Sequence, residues 1–184
     1  MGSFLPVNGL SQVWARETSR HIDERGYFSE EFRLNESPVS GVNFVQDSLS
    51  YSKKSVLRGM HIQADQWQLV TLITGKIVDV LIDLSPESPT YKKSISIELS
   101  SEGLNQLFVR PGIAHGYGVI SEDAVIHYKS SVYYGETPQF GLLWSSNELA
   151  HHWPETEWFV SLRDSNFPEF QDLITDSLFT QAVN

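Results

Sequence analysis

The feature that most constrains this chain is a polar–apolar alternation of period two, repeated in short runs along most of its length. Ser94-Ile95-Ser96-Ile97-Glu98-Leu99 shows it plainly. Successive side chains of a strand point to opposite faces, so strict alternation marks a strand with one buried side. Two apolar runs, 69–74 and 77–83, read as strands joined by a tight turn at Gly75-Lys76. Further β-type runs lie at 27–34, 43–51, 56–63, 106–109, 116–120 and 125–134. Residues 84–90 form a loop, Pro111-Gly112 marks another turn, and only 168–179 has a helical pattern. About nine short strands with frequent turns predict an all-β jelly-roll barrel with a short helical or irregular C-terminal segment. Such a barrel removes exposed edges and encloses a cavity. With 184 residues and no internal repeat, the chain reads as a single domain over 1–184.

Charge and composition narrow the function. The net charge is −10, from 13 basic and 23 acidic residues. A general nucleic-acid surface needs the opposite balance, whereas an anionic metabolite needs only a few arginines in a cleft. No run of 18 apolar residues exists to span a membrane as a helix. The opening Met1-Gly2-Ser3-Phe4 lacks a basic segment followed by an apolar one, as a signal peptide would have. With no cysteine, disulfides and thiolate chemistry are excluded, and a cytoplasmic location is expected.

Three polar clusters interrupt the strands: Asp23-Glu24-Arg25-Gly26-Tyr27-Phe28-Ser29-Glu30, then Leu57-Arg58-Gly59-Met60-His61-Ile62-Gln63, then Pro111-Gly112-Ile113-Ala114-His115-Gly116-Tyr117 followed by 128–134. Single histidines on strands are mostly satisfied structural groups, which is the expectation for His127, His151 and His152. Arg25 and Arg58 would, on the same footing, be surface ion-pair partners. His61 and His115 are different, because glycine neighbours leave space beside each imidazole. An imidazole titrates near neutrality and serves as a base, and a tyrosine on the opposite wall returns a proton to the other face. A base and an acid on opposite faces of a planar enolate invert a carbon centre without a cofactor.

These segments resemble the dTDP-4-dehydrorhamnose 3,5-epimerase family, cupin enzymes of deoxysugar biosynthesis. The matching motifs are 23–30, Phe44-Val45-Gln46-Asp47, 56–63, Ser88-Pro89-Thr90, Pro111-Gly112-Ile113-Ala114-His115-Gly116, Tyr128-Lys129 with Tyr134, Trp144, Trp153-Pro154 and Ser161-Leu162-Arg163-Asp164. They fall in family order over about residues 5–170. The resemblance implies a cupin jelly roll, a homodimer, no cofactor, and a nucleoside-diphosphate 4-keto-6-deoxyhexose as substrate, most simply with dTDP. It carries over His61 as the base, Asp164 as the carboxylate that orients it, and Tyr134 as the proton donor on the far face, with Tyr133 as its rival. Arg25 and Arg58 match diphosphate contacts. Gln46 and Glu30 match groups near the nucleotide, and His115 matches a second imidazole near the sugar. Ser48, Lys129 and Trp144 complete the substrate-binding set.

Departures from the family pattern matter as much. Met60-His61-Ile62-Gln63 replaces Leu-His-Tyr-Gln, Ser48 replaces an Asn, and His21 stands where an aromatic is expected. Gln68 replaces the Lys that would stabilise the enolate oxygen, leaving a neutral hydrogen-bond donor. Cupin metal sites use His-x-His, a following Glu and a distant His. Here the run is His61-Ile62-Gln63 with no Glu before Glu87, so no metal is expected. The rival readings are a monofunctional 3- or 5-epimerase on another nucleotide sugar, a non-catalytic sugar-nucleotide binding cupin, and a metal-dependent oxygenase.

Overall fold

In the computed structural model, which describes residues 2–183, the alternating runs become strands of two facing sheets. In chain order the strands are β1 (Leu5–Pro6), β2 (Val13–Arg16), β3 (Arg20–Asp23), β4 (Gly26–Ser29), β5 (Gln46–Lys53), β6 (Val56–Gln63) and β7 (Gln68–Thr74). There follow β8 (Lys76–Asp83), β9 (Ser94–Ser100), β10 (Gln106–Val109), β11 (Ile113–Val119), β12 (Asp123–Ser130), β13 (Gln139–Gly141) and β14 (Phe159–Val160). Three short helices close the chain: α1 (Leu162–Ser165), α2 (Phe170–Thr175) and α3 (Ser177–Val183).

The first sheet runs β1-β2-β10-β7-β12-β5, and the second runs β13-β6-β11-β8-β9 with β14 alongside β6. Strands β3 and β4 pair only with each other, as a hairpin. Between the sheets lies one core, with Val70, Leu72 and Ile126 from the first and Ile77, Leu81, Tyr117 and Val119 from the second. Met60, Ile62, Val80 and Ile82 face the other way, under Trp153, Phe170, Leu173 and Phe179 of the C-terminal segment. The second sheet is therefore covered on both faces. That is why β8 reads as a continuous apolar run rather than an alternation.

Gly75 does not close a hairpin. β7 belongs to the first sheet and β8 to the second, so the chain turns a corner between sheets. The turn is tight enough that a Cβ at Gly75, where φ is +89°, would lie 2.1 Å from the carbonyl oxygen of Asp123. The expected strand at 27–34 is only the four residues of β4, and β12 ends at Ser130, which leaves Tyr133 and Tyr134 in a loop. The expected C-terminal helix is broken at Asp176, whose backbone is extended and whose carboxylate accepts the N–H groups of Leu178 and Phe179. Thus α3 starts from a side-chain cap instead of continuing α2.

Candidate active site

One irregularity in β6 creates the site. Tyr117 on β11 stands opposite Arg58, and His115, two residues back, stands opposite His61, three residues on. The extra residue is a β-bulge, and it exchanges the faces of the strand. Leu57 before it and Met60 and Ile62 after it all pack outward in the second core. Arg58, His61 and Gln63 consequently all face inward, although an unbroken period of two would have sent Arg58 and His61 to opposite sides. The close approach of β6 to β11 requires glycine. A Cβ at Gly59, where φ is +125°, would lie 2.6 Å from the Cα of Gly116.

Inward side chains of both sheets enclose a cavity of ≈ 260 Å³ at one end of the sandwich. Gln46 and Ser48 reach it from β5, Arg58 and His61 from β6, Gln68 from β7, His115 from β11, and Tyr134 from the loop after β12. Tyr133 does not line it, which separates Tyr134 from its rival. Tyr134 is 68% exposed at the rim, and its backbone N–H is tied to Gln46 Oε1 at 2.8 Å. Gln46 Nε2 in turn donates to Ser48 Oγ at 3.0 Å, and Arg58 is braced by Nε donating to Ser52 Oγ at 2.9 Å.

His61 Nε2 lies 3.0 Å from Asp164 Oδ1, and the side chains are 34% and 6% exposed respectively. The start of α1 holds that carboxylate in place: Asp164 N–H donates to Ser161 Oγ, and Asp164 Oδ2 accepts Gly59 N–H. Burial pushes the Asp164 carboxyl up, but the hydrogen bonds from His61 and Gly59, the His61 charge and Ser161 outweigh it and leave the group below its usual range. An ionised Asp164 makes Nε2 of His61 the N–H, so Nδ1 keeps the lone pair. Among the described residues nothing hydrogen-bonds to Nδ1.

A second carboxylate–imidazole pair stands across the ladder. His115 Nδ1 lies 3.3 Å from Asp79 Oδ1, and Asp79 is fully buried. Burial pushes the Asp79 carboxyl up, and His115 offsets only part of that. Asp79 was not among the residues singled out from sequence. Its signal was available, since it is the one charge inside Ile77-Val78-Asp79-Val80-Leu81-Ile82. Gln68, expected to aim at an enolate oxygen, instead accepts from His115 Nε2 at 2.7 Å and donates to Gln66 Oε1 at 3.1 Å.

Besides Asp164, which stands behind His61, four predicted residues lie outside this cavity. Arg25 and Glu30 are at the β3–β4 hairpin and just beyond it, where Arg25 pairs with Asp23 and Glu30 with Arg33. Lys129 points to the outer face of the first sheet, 2.8 Å from Asp47. Trp144 packs in the outer core of the second sheet and accepts, through its carbonyl oxygen, the indole N–H of Trp153. Among the described residues, no three His, Cys, Asp or Glu side chains cluster as metal ligands. Among the described residues, no helix is long and apolar enough to cross a membrane.

Comparison with known proteins adds the family context. The model of the dTDP-4-dehydrorhamnose 3,5-epimerase family matches residues 8–172. The dTDP-4-dehydrorhamnose 3,5-epimerase of Shigella flexneri is 38% identical over 156 residues, spanning 82% of this chain and 86% of that protein. The crystal structure of dTDP-6-deoxy-D-glucose-3,5-epimerase from Legionella pneumophila, in complex with dTDP-4-keto-L-rhamnose, superposes with a TM-score of 0.87 at 30% identity, covering 97% of each chain. That of the dTDP-4-dehydrorhamnose 3,5-epimerase from Bacillus anthracis, with TDP and pyrophosphate bound, gives 0.84 at 32% identity over 92% of this chain and all of the other.

Proposed function

This chain belongs to the dTDP-4-dehydrorhamnose 3,5-epimerase family, and from that premise we propose that His61 is the base with which it inverts C3, C5 or both of a dTDP-linked 4-keto-6-deoxyhexose. The observation that carries the assignment is the 3.0 Å bond from His61 Nε2 to a buried, ionised Asp164, which leaves Nδ1 as the proton acceptor on the cavity wall. The carbon beside the ketone gives its proton to Nδ1, and the C–H electron pair becomes an enolate. The Tyr134 hydroxyl then delivers a proton to the opposite face of the same carbon, and configuration inverts. Asp164 orients the imidazole and stabilises its charged form. Arg58, Gln46 and Ser48 also line the cavity and suit a diphosphate and its nucleoside. No step in this scheme calls for a cofactor or a metal.

The unit we assign to this activity is one cupin domain over 1–184, working as a homodimer. β5 supports the second copy, because its alternation is inverted: Gln46, Ser48, Ser50 and Ser52 face the interior, while Leu49 and Tyr51 point outward and are exposed. The β3–β4 hairpin likewise exposes Ile22, Tyr27 and Phe28. Arg25 and Glu30 lie on or beside that hairpin, outside their own cavity, and a neighbouring copy is the simplest place for a substrate contact from them. Lys129 and Trp144 act from behind the cavity walls, as packing residues.

Solvent deuterium uptake at C3 and C5 of a dTDP-4-keto-6-deoxyhexose tests the reaction. Uptake at one or both carbons is expected. A bound nucleotide sugar without uptake would instead indicate a binding protein, and uptake that stops on chelation would indicate a metal enzyme. Sedimentation at twice the 20.9 kDa chain mass is the expected result for the dimer.

A further inference from the structure

Asp79, His115, Gln68 and Gln66 form a hydrogen-bonded line that begins on β8 and β11, beside His61, and crosses to β7 in the facing sheet. Its direction follows from what each group offers. Gln68 spends an amide N–H on Gln66 Oε1, 3.1 Å away, and turns its carbonyl oxygen to His115 Nε2 at 2.7 Å. A carbonyl oxygen only accepts, so Nε2 must carry the hydrogen. The other ring nitrogen meets Asp79, a fully buried carboxyl for which the His115 ring is the side-chain partner among the described residues. A neutral Asp79 donates to a bare Nδ1, while an ionised Asp79 accepts from a protonated one. In both cases Nε2 keeps its own hydrogen.

We propose that Gln68 is a positioning residue that fixes the proton on Nε2 of His115, so that when the substrate's ketone oxygen takes the place of Gln68 Oε1 this imidazole meets it as a hydrogen-bond donor. The two histidines sit opposite each other on paired strands, at His61 and His115. Without some device to set their protons, either could act as the base. Asp164 leaves His61 with a bare nitrogen, and Gln68 leaves His115 with an N–H. A neutral side chain at position 68 thus acts through the second histidine instead of stabilising the enolate itself. This inference rests on the epimerase reading for its purpose, and on the hydrogen-bond line alone for the tautomer.

The test is nitrogen-15 NMR of ring-labelled histidine in the substrate-free protein at about pH 8, above the ordinary imidazole range. Wild type is expected to show His115 Nε2 protonated. Gln68→Met keeps the length but removes the acceptor, so the proton redistributes toward Nδ1 and the Nε2 signal moves toward a bare nitrogen. Gln68→Glu restores an acceptor and with it the protonated Nε2. For deuterium uptake, Gln68→Met should lower kcat on the order of tenfold with KM nearly constant, less than the 10²–10³ that loss of a transition-state donor costs. A bare Nε2 in wild type, or an unchanged Nε2 signal in Gln68→Met, overturns the proposal. Should Gln68→Met not fold, loss of the protonated signal in Gln68→Glu overturns it equally. Because the spectra need no substrate, normal spectra with no uptake in wild type would count against the epimerase reading and leave this one standing.

Discussion

The molecule holds two carboxylate–imidazole pairs of nearly the same composition whose carboxyls are shifted in opposite directions. His61–Asp164 joins β6 to the start of α1, and its carboxylate also accepts the Gly59 N–H. His115–Asp79 joins β11 to β8, in the interior between the sheets, and among the described residues Asp79 has no comparable backbone donor. Burial is therefore offset at Asp164 and left largely uncompensated at Asp79, and the two carboxyls move in opposite directions from their usual range. In the proposed mechanism, residue type does not decide which histidine is the base; the number of hydrogen-bond donors around each carboxylate does.

The comparison breaks most sharply at His61. His61→Asn removes the bare nitrogen and should lower proton exchange by about 10²–10⁴, with dTDP affinity within about threefold. A proton NMR time course in deuterated buffer, with titration calorimetry for dTDP, measures both. Near-normal exchange would transfer the base role to His115.

The carboxylates give an intermediate contrast. Asp164→Asn loses the charge that stabilises a protonated His61, and exchange should fall by at least about tenfold. Asp79→Asn still offers an N–H to His115 Nδ1, as a protonated carboxyl does, so exchange should stay within about threefold. Equal losses in the two variants would mean that both pairs are ionised and that the asymmetry drawn here is wrong.

The smallest effect is on stability against pH, where the two groups have opposite signs. Asp164 has a lowered folded-state pKa, so its contribution is present above the unfolded carboxyl range near 4 and is lost as pH falls through the folded value. Asp79 has a raised one, so its contribution is present below that range and is lost as pH rises toward the folded value. Denaturant unfolding of Asp164→Asn should accordingly show less loss of stability on acidification than wild type. Asp79→Asn should show less loss on moving from acid to neutral pH. Parallel pH profiles for wild type and both variants would remove the electrostatic distinction.

Much of this was legible in the sequence, for reasons that can be stated locally. Period-two runs and, for β7 and β8, continuous apolar runs located β5 through β12, because both record which faces are buried. The glycines around His61 and His115 drew attention to both rings, although Gly59 and Gly116 serve the close approach of β6 to β11 and leave no open space there. β3 was missed because Arg20–Asp23 is mostly exposed, and β1, β2, β13 and β14 because runs of two to four residues are too short to show a period. Gly75 was read as closing a hairpin because a tight turn looks the same whether the next strand pairs with the last or changes sheets. Asp79 escaped because its run was read for strand character and not for the one residue that broke it. The partner of His115 at Gln68 was out of reach, since a strand's neighbours are not written in its own residues.

The extra residue in β6 behaves like a phase shift in a two-letter code. Upstream of it, inward positions are even-numbered and include Arg58; downstream they are odd-numbered and include His61 and Gln63. A one-residue deletion between Arg58 and His61 would restore an unbroken beat while keeping every functional residue in the chain. It would either turn His61 out toward the helices or turn Arg58 away from the cavity, depending on which end of the strand held its place. The activity is therefore exposed to a kind of mutation that no substitution scan samples. Length between Arg58 and His61 is under as tight a constraint as identity.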